Sequence, residues 1–418
     1  MDSHKQESYP ADLADYRTHK SELKNQRESV GPVQVVELAG PIENSFGHIG
    51  QVRGEGIRRF LAFQKKDAEK YAKNLDFSSQ CLTITKQKIQ EIGDQQPVVA
   101  QALDKYFSCL NQWAEGADIS EQEAFLLQNE DMGCQTVMVR GEEGHVLMLH
   151  TEEWFMEDDE EKEAVEISPE WTRFNISDPE NKNSLQAFTG YAFTLPGSSF
   201  GISNGHVHAV DSLEMKQADK PAIPANIVCW LCWYLAGQVD SQTIIDTLSP
   251  YVGGYAYNEI FAQKGTVHAQ TVEFGGDWPS LPKKVLPEKP ESYLVHTNLI
   301  KNQDMEKVVG AKLESDDRRY YLGLRRIHHM VRKAFIGRRQ NSELNNPPKT
   351  TLDSLRRLAG LIPFRPKKMV QAVSQPYNFS TFLIQINPDG SYSGQVIAGP
   401  IIPNQNADIS SISIGSEN

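Results

Sequence analysis

The sequence of 418 residues lacks any long hydrophobic run. No apolar stretch approaches the roughly 18 residues that a membrane-spanning helix needs, so we expect no membrane partner. Residues 1–30 are rich in Lys, Glu, Asp, Ser and Gln, and no signal-type hydrophobic segment follows Met1. We therefore expect a flexible N-terminal tail over residues 1–30 and a cytoplasmic protein.

Cysteine is scarce, and positive charge is outnumbered by negative charge. The five cysteines are odd in number and few for the length, which argues against a disulfide framework. Cys229 and Cys232 form a CxxC, but it lies among aromatic and apolar residues with no second CxxC or His pair nearby, so we expect both in the core. The net charge of -13 argues against general binding to nucleic acid or acidic membranes.

The segment before residue 134 is mainly helical by its pattern of apolar residues. Residues 33–38 have the composition of a first strand. Gly50 and Gly54 lie on one face of a predicted helix, where we expect close packing, because an exposed Gly costs about 1 kcal/mol relative to Ala. The predicted helices are residues 45–63, 97–113 and 121–127.

Strand pairs dominate from Cys134 onwards. A Gly-containing loop joins two runs of strand-forming residues, which predicts a β-hairpin over residues 134–150. The other predicted strands are residues 187–195, 200–210, 255–262, 266–274, 292–297, 381–386 and 391–397. Further helices are predicted at residues 241–248 with Ser241 as a cap, and at residues 315–335 and 351–360. The order predicts an α+β fold with antiparallel sheets packed between helical layers.

Two polar stretches are predicted to lie outside this framework. The acidic run at residues 157–163 is typical of a solvated loop. Residues 403–418 are polar, and we expect a flexible C-terminal tail. Neither stretch is expected to contribute to the core.

Gly133 and Cys134 begin the first strand of the hairpin. Cleavage of the bond between them would release Cys134 as a new N-terminus that carries both a thiol and an α-amine. Their unperturbed pKa values lie near ~8.5 and ~8, so the two groups can exchange a proton close to neutral pH. Such a residue is a nucleophile with its own base. The alternative is that Cys134 is a small, buried hydrophobic residue.

Several motifs occur in a characteristic order along the chain. They are Gly133-Cys134, a hairpin ending in the acidic Glu152, Asn258 before a second hairpin, Leu294-Val295-His296-Thr297-Asn298, and Ser315 followed by Arg318-Arg319. From about residue 36 to 400 this order resembles the penicillin (isopenicillin-N) acyltransferase family of N-terminal-nucleophile cysteine hydrolases. The resemblance implies a four-layer αββα sandwich whose precursor cuts itself before the Cys. Residues 31–133 would then be a mainly helical pro-segment, or α chain, and residues 134–402 the catalytic β chain.

The resemblance also implies roles for individual residues. Cys134 would be the nucleophile, with its own amine as base, and Asn258 would donate a hydrogen bond to the oxyanion. Glu152 stands where the family usually has Asp, and His150 replaces the usual Asn. The implied activity is that of a self-processing cysteine amidohydrolase or acyltransferase, acting on linear amide (N-acyl) bonds through an acyl-thioester. Its substrate would be a small N-acyl molecule.

Arg318 or Arg319 would pair with Glu152 or stabilise the nucleophile. Each residue also has a simpler interpretation: Glu152 as the start of the acidic loop, Asn258 as a turn residue, and the two arginines as exposed helix positions. Each simpler interpretation would be favoured alone, and only the joint fit of the residues favours the site.

His206 and His208 lie two residues apart and therefore share a strand face. Such a pair could bind a metal, but no third ligand is evident. We therefore predict that they line the substrate pocket or support it, as His150 would, and we predict no metal site.

Two other function classes remain open. One is a catalytically silent member of the same fold that acts as a binding protein. The other rests on residues 318–368, which contain fourteen Lys or Arg but only two acidic residues, Glu343 and Asp353. That charge could bind an acidic partner, nucleic acid or the phosphates of an acyl-CoA co-substrate, although a solvated basic helix face explains most of it. Nucleic acid is the least favoured of these partners. Apart from acyl-CoA as a co-substrate, we expect no cofactor. Whether the chain forms a homo-oligomer is left open.

Overall fold

A computed structural model describes most of the chain between residues 34 and 415. The described residues are 34–128, 133–155, 172–181, 184–189, 193–212, 221–251, 255–274, 284–290, 292–297, 376–398 and 411–415. Several predictions concern residues outside these ranges, namely the tail at 1–30, the acidic loop at 157–163, the helices at 315–335 and 351–360, and the basic segment at 318–368.

The described residues form six α-helices and fourteen strands. The helices are α1 (Ile42–Gln64), α2 (Ala68–Gln95), α3 (Pro97–Ala117), α4 (Glu121–Leu127), α5 (Ala225–Tyr234) and α6 (Ser241–Leu248). The strands are β1 (Gln34–Ala39), β2 (Gly133–Arg140), β3 (Val146–Phe155), β4 (Thr172–Ser177), β5 (Ser184–Thr189), β6 (Phe200–Ser203), β7 (His206–Ser212), β8 (Tyr255–Gln263), β9 (Thr266–Phe274), β10 (Lys284–Val285), β11 (Tyr293–Thr297), β12 (Pro376–Ile386), β13 (Tyr392–Ala398) and β14 (Ser411–Gly415). None of these helices has both the length and the apolar composition needed to cross a membrane.

The strands form two sheets. The eight-stranded sheet has the order β1-β4-β5-β6-β7-β8-β9-β10, and only its β1–β4 pair is parallel. The six-stranded sheet has the order β11-β2-β3-β12-β13-β14 and is antiparallel throughout. The protein is therefore a mixed fold of helices and largely antiparallel sheets, compatible with the predicted α+β class.

Two apolar cores show how these layers pack. In the first core the helices cover one face of the eight-stranded sheet, through residues such as Phe174, Tyr257 and Val272. The second core lies between the two sheets and joins Met138 and Met148 of the six-stranded sheet to residues of β6–β9. The remaining face of the six-stranded sheet is also buried, at Val137, Val139, Leu147, Leu149 and Leu383. Both sheets thus have two buried faces.

Glycines allow α1 and α3 to pack closely. A Cβ on Gly50 would lie 2.1 Å from the carbonyl oxygen of Trp113, and one on Gly116 would lie 2.1 Å from that of Gly47. A Cβ on Gly54 would lie 3.2 Å from Ala117 Cα. The predicted packing role of Gly50 and Gly54 is confirmed.

Several elements differ from the sequence prediction, including the strand predicted at residues 187–195, which is β5 (Ser184–Thr189). Helix α2 was not predicted, and its long polar surface explains why no apolar pattern indicated it. Residues 200–210 are not one strand but a hairpin, because Asn204 and Gly205, both with positive φ, form a two-residue turn. Strand β3 continues to Phe155, beyond residue 150, where the hairpin was predicted to end. Strand β14 lies inside the segment expected to be a flexible tail and pairs with β13.

The predicted cap of α6 is also wrong by one residue. Asp240 is the N-cap, and its carboxylate accepts a hydrogen bond from the backbone N–H of Gln242. Ser241 instead donates its hydroxyl hydrogen to Glu259 Oε2 at 2.7 Å. The serine side chain is therefore hydrogen-bonded to the eight-stranded sheet and does not cap the helix.

Candidate active site

Cys134 lies at the start of β2, a strand inside the six-stranded sheet. Gly133 pairs with Glu153 and Cys134 pairs with Glu152 along the β2–β3 ladder. Alternate residues of a strand share a face, and Met138 of β2 packs into the core between the sheets. Cys134 therefore points toward the eight-stranded sheet, and it is buried.

The other four cysteines have a different environment, because all lie on helices. None of the five cysteines, all of them in the described residues, forms a disulfide. Cys229 and Cys232 are buried on α5, and burial raises the pKa of each thiol well above its ordinary value. This confirms the prediction that the CxxC belongs to the core.

A row of polar side chains crosses the six-stranded sheet next to Cys134. Thr136 stands between His296 of β11 and His150 of β3 in the ladder. All three are buried, and Thr136 Oγ1 lies 2.9 Å from His150 Nδ1. The rings of Phe200 and Phe382 pack beside His150.

Asp211 of β7 meets this row from the opposite sheet. Thr136 donates to its Oδ1 at 2.9 Å, and the Asn258 amide donates to its Oδ2 at 2.7 Å. His296 Nδ1 lies 3.1 Å from Oδ2, a close electrostatic contact that is not aligned as a hydrogen bond. Burial by itself would raise the pKa of Asp211, but His296, together with His150 and Thr136, outweighs it, and the pKa lies below its ordinary value. Asp211 is thus a buried carboxylate whose hydrogen-bond donors, Thr136 and Asn258, favour its ionised form.

Asn258 of β8 is fully buried within this cluster. Its carbonyl oxygen accepts a hydrogen bond from Thr271 at 2.8 Å. Its amide nitrogen, besides donating to Asp211, lies 3.4 Å from both Thr136 Oγ1 and the carbonyl oxygen of Ala209. The predicted oxyanion donor is therefore close to the Cys134 strand, with its amide hydrogens directed at protein atoms.

His296 extends the cluster to a second carboxylate. Its Nε2 lies 3.0 Å from Glu273 Oε1, so a carboxylate faces each ring nitrogen. Glu273 is buried on β9. The inter-sheet cluster, as we call it, consists of Thr136, His150, Asp211, Asn258, Thr271, Glu273 and His296.

His206 and His208 do not join the inter-sheet cluster. The β7 residues that face the six-stranded sheet are Val207, Ala209 and Asp211. The two histidines alternate with them and therefore face the helices. His206 Nδ1 lies 3.1 Å from Glu259 Oε1, and His208 Nε2 lies 3.4 Å from the carbonyl oxygen of Gly197. Burial lowers the pKa of His208 to about 3. The pair therefore lies on the opposite sheet face from the inter-sheet cluster, and its role in lining the substrate pocket stays a prediction.

The structure gives less information on the other predicted site residues. Glu152 is located by its backbone, directly opposite Cys134. Arg318 and Arg319 lie outside the described residues. Within the described part of the chain, no group of three or more His, Cys, Asp or Glu residues is arranged to hold a metal ion.

No protein-family model matches the chain, and no curated protein matches it. The family resemblance therefore rests on the motifs of the sequence alone. The function has to follow from those motifs and from the arrangement around Cys134.

Sequence reasoning missed most of the inter-sheet cluster. Asp211 and Thr271 carry a usable signal, because each is a polar residue at an inward position of a strand whose preceding inward positions are apolar. In β7 those positions are Val207 and Ala209, and in β9 they are Val267 and Ala269. A polar residue in such a position needs a buried partner. The site therefore combines a thiol at a strand start with a neighbouring network of buried hydrogen-bond donors and carboxylates, an arrangement suited to nucleophilic acyl transfer.

Proposed function

We propose that this protein is a self-processing cysteine amidohydrolase or acyltransferase that acts on linear amide bonds through an acyl-thioester on Cys134. One observation carries the proposal. Cys134 begins a central strand and points into the layer between two stacked sheets, next to the buried cluster around Asp211. Of the five cysteines, it alone has such polar surroundings on a strand.

The layer packing supports the finer fold that the family resemblance implies. Helices cover the eight-stranded sheet, and the two sheets share a core. The outer face of the six-stranded sheet is buried as well. We therefore propose a four-layer αββα sandwich of the N-terminal-nucleophile type, with residues 134–402 as the catalytic chain.

Maturation would begin with attack by the Cys134 thiol on the carbonyl carbon of Gly133. The C–N bond between the two residues breaks, a thioester forms, and the nitrogen takes up a proton to become the α-amine of Cys134. Water then hydrolyses the thioester, leaving a carboxylate on Gly133 and a thiol on Cys134. The mature residue thus carries nucleophile and base together.

Turnover would follow the same chemistry with an external amide. The thiol attacks the substrate carbonyl, and its proton passes through the α-amine to the departing amine. The acyl-thioester is then hydrolysed by water or transferred to an acceptor amine. Because the α-amine is held on the same residue as the thiol, it needs no diffusional encounter to act as base and then acid.

The supporting residues would stabilise charge around this centre. Asn258 would assist the oxyanion, directly or by holding Asp211 and Thr136 in place. Glu152 lies opposite Cys134 by its backbone register, and the roles of Arg318 and Arg319 rest on the family resemblance alone.

Acyl labelling tests the proposal directly. The purified protein is incubated with N-acyl amino acids, acyl-amines and acyl-CoA thioesters, and the Cys134 peptide is examined by mass spectrometry. We expect an acyl adduct on Cys134 and two kinetic phases with activated substrates. Cys134→Ala should abolish both, whereas Cys81→Ala, which changes a buried cysteine of α2, should keep them. If Cys134 becomes an N-terminus yet no substrate labels it and iodoacetamide blocks no activity, the catalytically silent binding protein replaces this proposal.

A further inference from the structure

Gln128, the last described residue before Gly133, is fixed in the protein interior. It is the C-cap of α4 and is fully buried. Its side-chain oxygen accepts a hydrogen bond from the backbone N–H of Leu195 at 3.2 Å, and its side-chain amide donates to the carbonyl oxygen of Ala124 at 3.3 Å. The end of α4 is therefore hydrogen-bonded to a segment that follows Cys134 in the chain.

Asn226 of α5 holds the same residue from a second direction. The last four carbonyl groups of a helix have no partner within it. Asn226 donates its side-chain amide to the carbonyl oxygen of Gln128 at 2.7 Å, and it is itself buried. We call Gln128 and Asn226 the α4 anchor, because together they fix the direction in which the chain leaves this helix.

The α4 anchor is attached to well-packed parts of the protein. In α5, Trp230 lies in edge-to-face contact with Phe46 of α1. Two residues before Leu195, Phe193 stacks on Phe60 of α1 with ring centroids 3.9 Å apart. Groups supported by packed side chains are held more precisely than groups on unsupported loops. The α4 anchor therefore has a defined position relative to the core.

Strand β2 holds the other side of the proposed cleavage site. Its ladders with β3 and β11 fix Cys134 and the residues that follow it. Only residues 129–132 separate Gln128 from Gly133. Five residue steps span at most ~17 Å, so the position of the α4 anchor limits where the Gly133 carbonyl can lie.

We propose that Asn226 and Gln128 are positioning residues for self-cleavage, which hold the Gly133 carbonyl carbon against the thiol of Cys134. In this step the sulphur–carbon bond forms, the carbon–nitrogen bond breaks, and the thiol proton passes to the nitrogen. Such a reaction depends strongly on alignment, and a displacement of about 1 Å can slow it by ~10²-fold. This role rests on the proposed function, because it concerns the first step of the proposed maturation.

The rate of self-cleavage in freshly made precursor tests this role. The full chain is produced by cell-free synthesis, and denaturing electrophoresis follows the loss of the 418-residue species with time. Asn226→Ala should slow cleavage at least about tenfold, because the end of α4 loses the donor that fixes its direction. The slowing should persist in excess hydroxylamine, which cleaves a thioester as it forms, since the α4 anchor acts before the thioester exists.

Asn181→Ala is the matched control. The side-chain amide of Asn181 also donates to a carbonyl oxygen of α5, that of Tyr234 at 2.7 Å, and the residue is also buried. Its loss should destabilise the fold to a similar extent but leave the rate of cleavage unchanged. Urea unfolding midpoints compare the stability of the two variants, each combined with Cys134→Ala so that the chains stay intact.

Gln128→Leu covers the case in which Asn226→Ala does not fold. It keeps the size of the side chain and the backbone carbonyl but removes the contact with Leu195, and it should also slow cleavage. Cleavage at the wild-type rate in the folded variants, equal slowing in Asn181→Ala, or a difference that vanishes in hydroxylamine overturns this inference alone. A wild type that is never cut overturns the proposed function and this inference together.

Discussion

Cys134 stands directly opposite Glu152 in the ladder between β2 and β3. Glu152 in turn stands opposite Ser380 of β12, so three adjacent strands meet at this level of the sheet. Directly opposed residues of antiparallel strands have Cβ atoms about 5 Å apart. The acidic residue Glu152 is thus the direct neighbour of Cys134 by backbone register.

The first prediction is self-cleavage between Gly133 and Cys134. Denaturing electrophoresis of the wild type should show two fragments, residues 1–133 and residues 134–418. The second fragment should begin with a Cys that carries an unblocked amine, because attack by the thiol transfers the Gly133 acyl group from nitrogen to sulphur and water then removes it. Intact-mass analysis and N-terminal sequencing provide the measurement.

Cys134→Ala should remain one chain, because it removes the attacking sulphur. Cys109→Ala is the control, since it changes a buried cysteine on α3 and should be cut like the wild type. A wild-type protein that stays full length after long incubation, with no Cys N-terminus, would contradict the prediction.

The second prediction concerns Asn258, whose amide donates to Asp211 at 2.7 Å. Asn258→Ala should lower kcat by ~10²–10³ while changing KM much less, because a contact to developing charge acts mainly in the transition state. Steady-state kinetics with a substrate that labels Cys134 provides the measurement.

Thr271→Val serves as a graded comparison. It removes only the hydroxyl that donates to the carbonyl oxygen of Asn258 and leaves the amide N–H groups in place. We expect a smaller loss of kcat than in Asn258→Ala. Equal losses would indicate that the cluster acts only through packing, and an unchanged kcat in Asn258→Ala would assign the residue a purely structural role.

The sequence predicted most of the elements that carry a local signal. The hairpin of β8 and β9 turns at Lys264-Gly265, and that of β12 and β13 at Asn387–Gly390, as the turn residues indicate. The turn at Asn204-Gly205 carries an equally strong signal and was overlooked. The long helix α2 gave no such signal, because few of its residues are buried.

The candidate site was less predictable, since it depends on contacts between distant strands. Thr136 and Asp211 touch across 75 positions of the chain, and Asn258 reaches Thr136 across 122. Spacing within a strand predicts which residues share a face, but not which face meets the other sheet. His206 and His208 show this limit: they do share a face, and it is the one turned toward the helices.

The third prediction tests the close packing of α1 against α3. Gly50→Ala should lower the free energy of unfolding by about 2 kcal/mol or more, because the new methyl would lie 2.1 Å from the carbonyl oxygen of Trp113. Gly93→Ala, in α2, is the matched control. Its methyl would meet only Ala100 Cβ, at 3.5 Å, so the better helix propensity of Ala should raise stability by about 0.5–1 kcal/mol. Urea unfolding midpoints provide the measurement, and equal midpoints for the two variants would contradict the prediction.

The last prediction concerns acid stability and Glu123, at the start of the short helix α4 that leads toward β2. Its carboxylate accepts from Lys65 at 2.7 Å, from Tyr71 at 3.0 Å, and from the backbone N–H and hydroxyl of Ser120 at 3.0 Å and 2.9 Å. Partial burial works against ionisation, but Lys65, Ser120 and Tyr71 outweigh it and lower the pKa of Glu123 to about 2.

Because the folded pKa lies below the unfolded value, the ionised carboxylate stabilises the fold above about pH 4.5, and this contribution is lost as the pH falls toward 2. Glu123→Gln should therefore lower the free energy of unfolding by about 1–3 kcal/mol at pH 7, and the difference from the wild type should shrink steadily between pH 4.5 and 2. Glu55→Gln is the control: Glu55 pairs with Arg59 on an exposed helix face, where an ion pair contributes at most about 1 kcal/mol. Urea unfolding at pH 7, 4 and 2.5 gives the three differences. A deficit in Glu123→Gln that stays constant with pH would assign the loss to packing rather than to the charge.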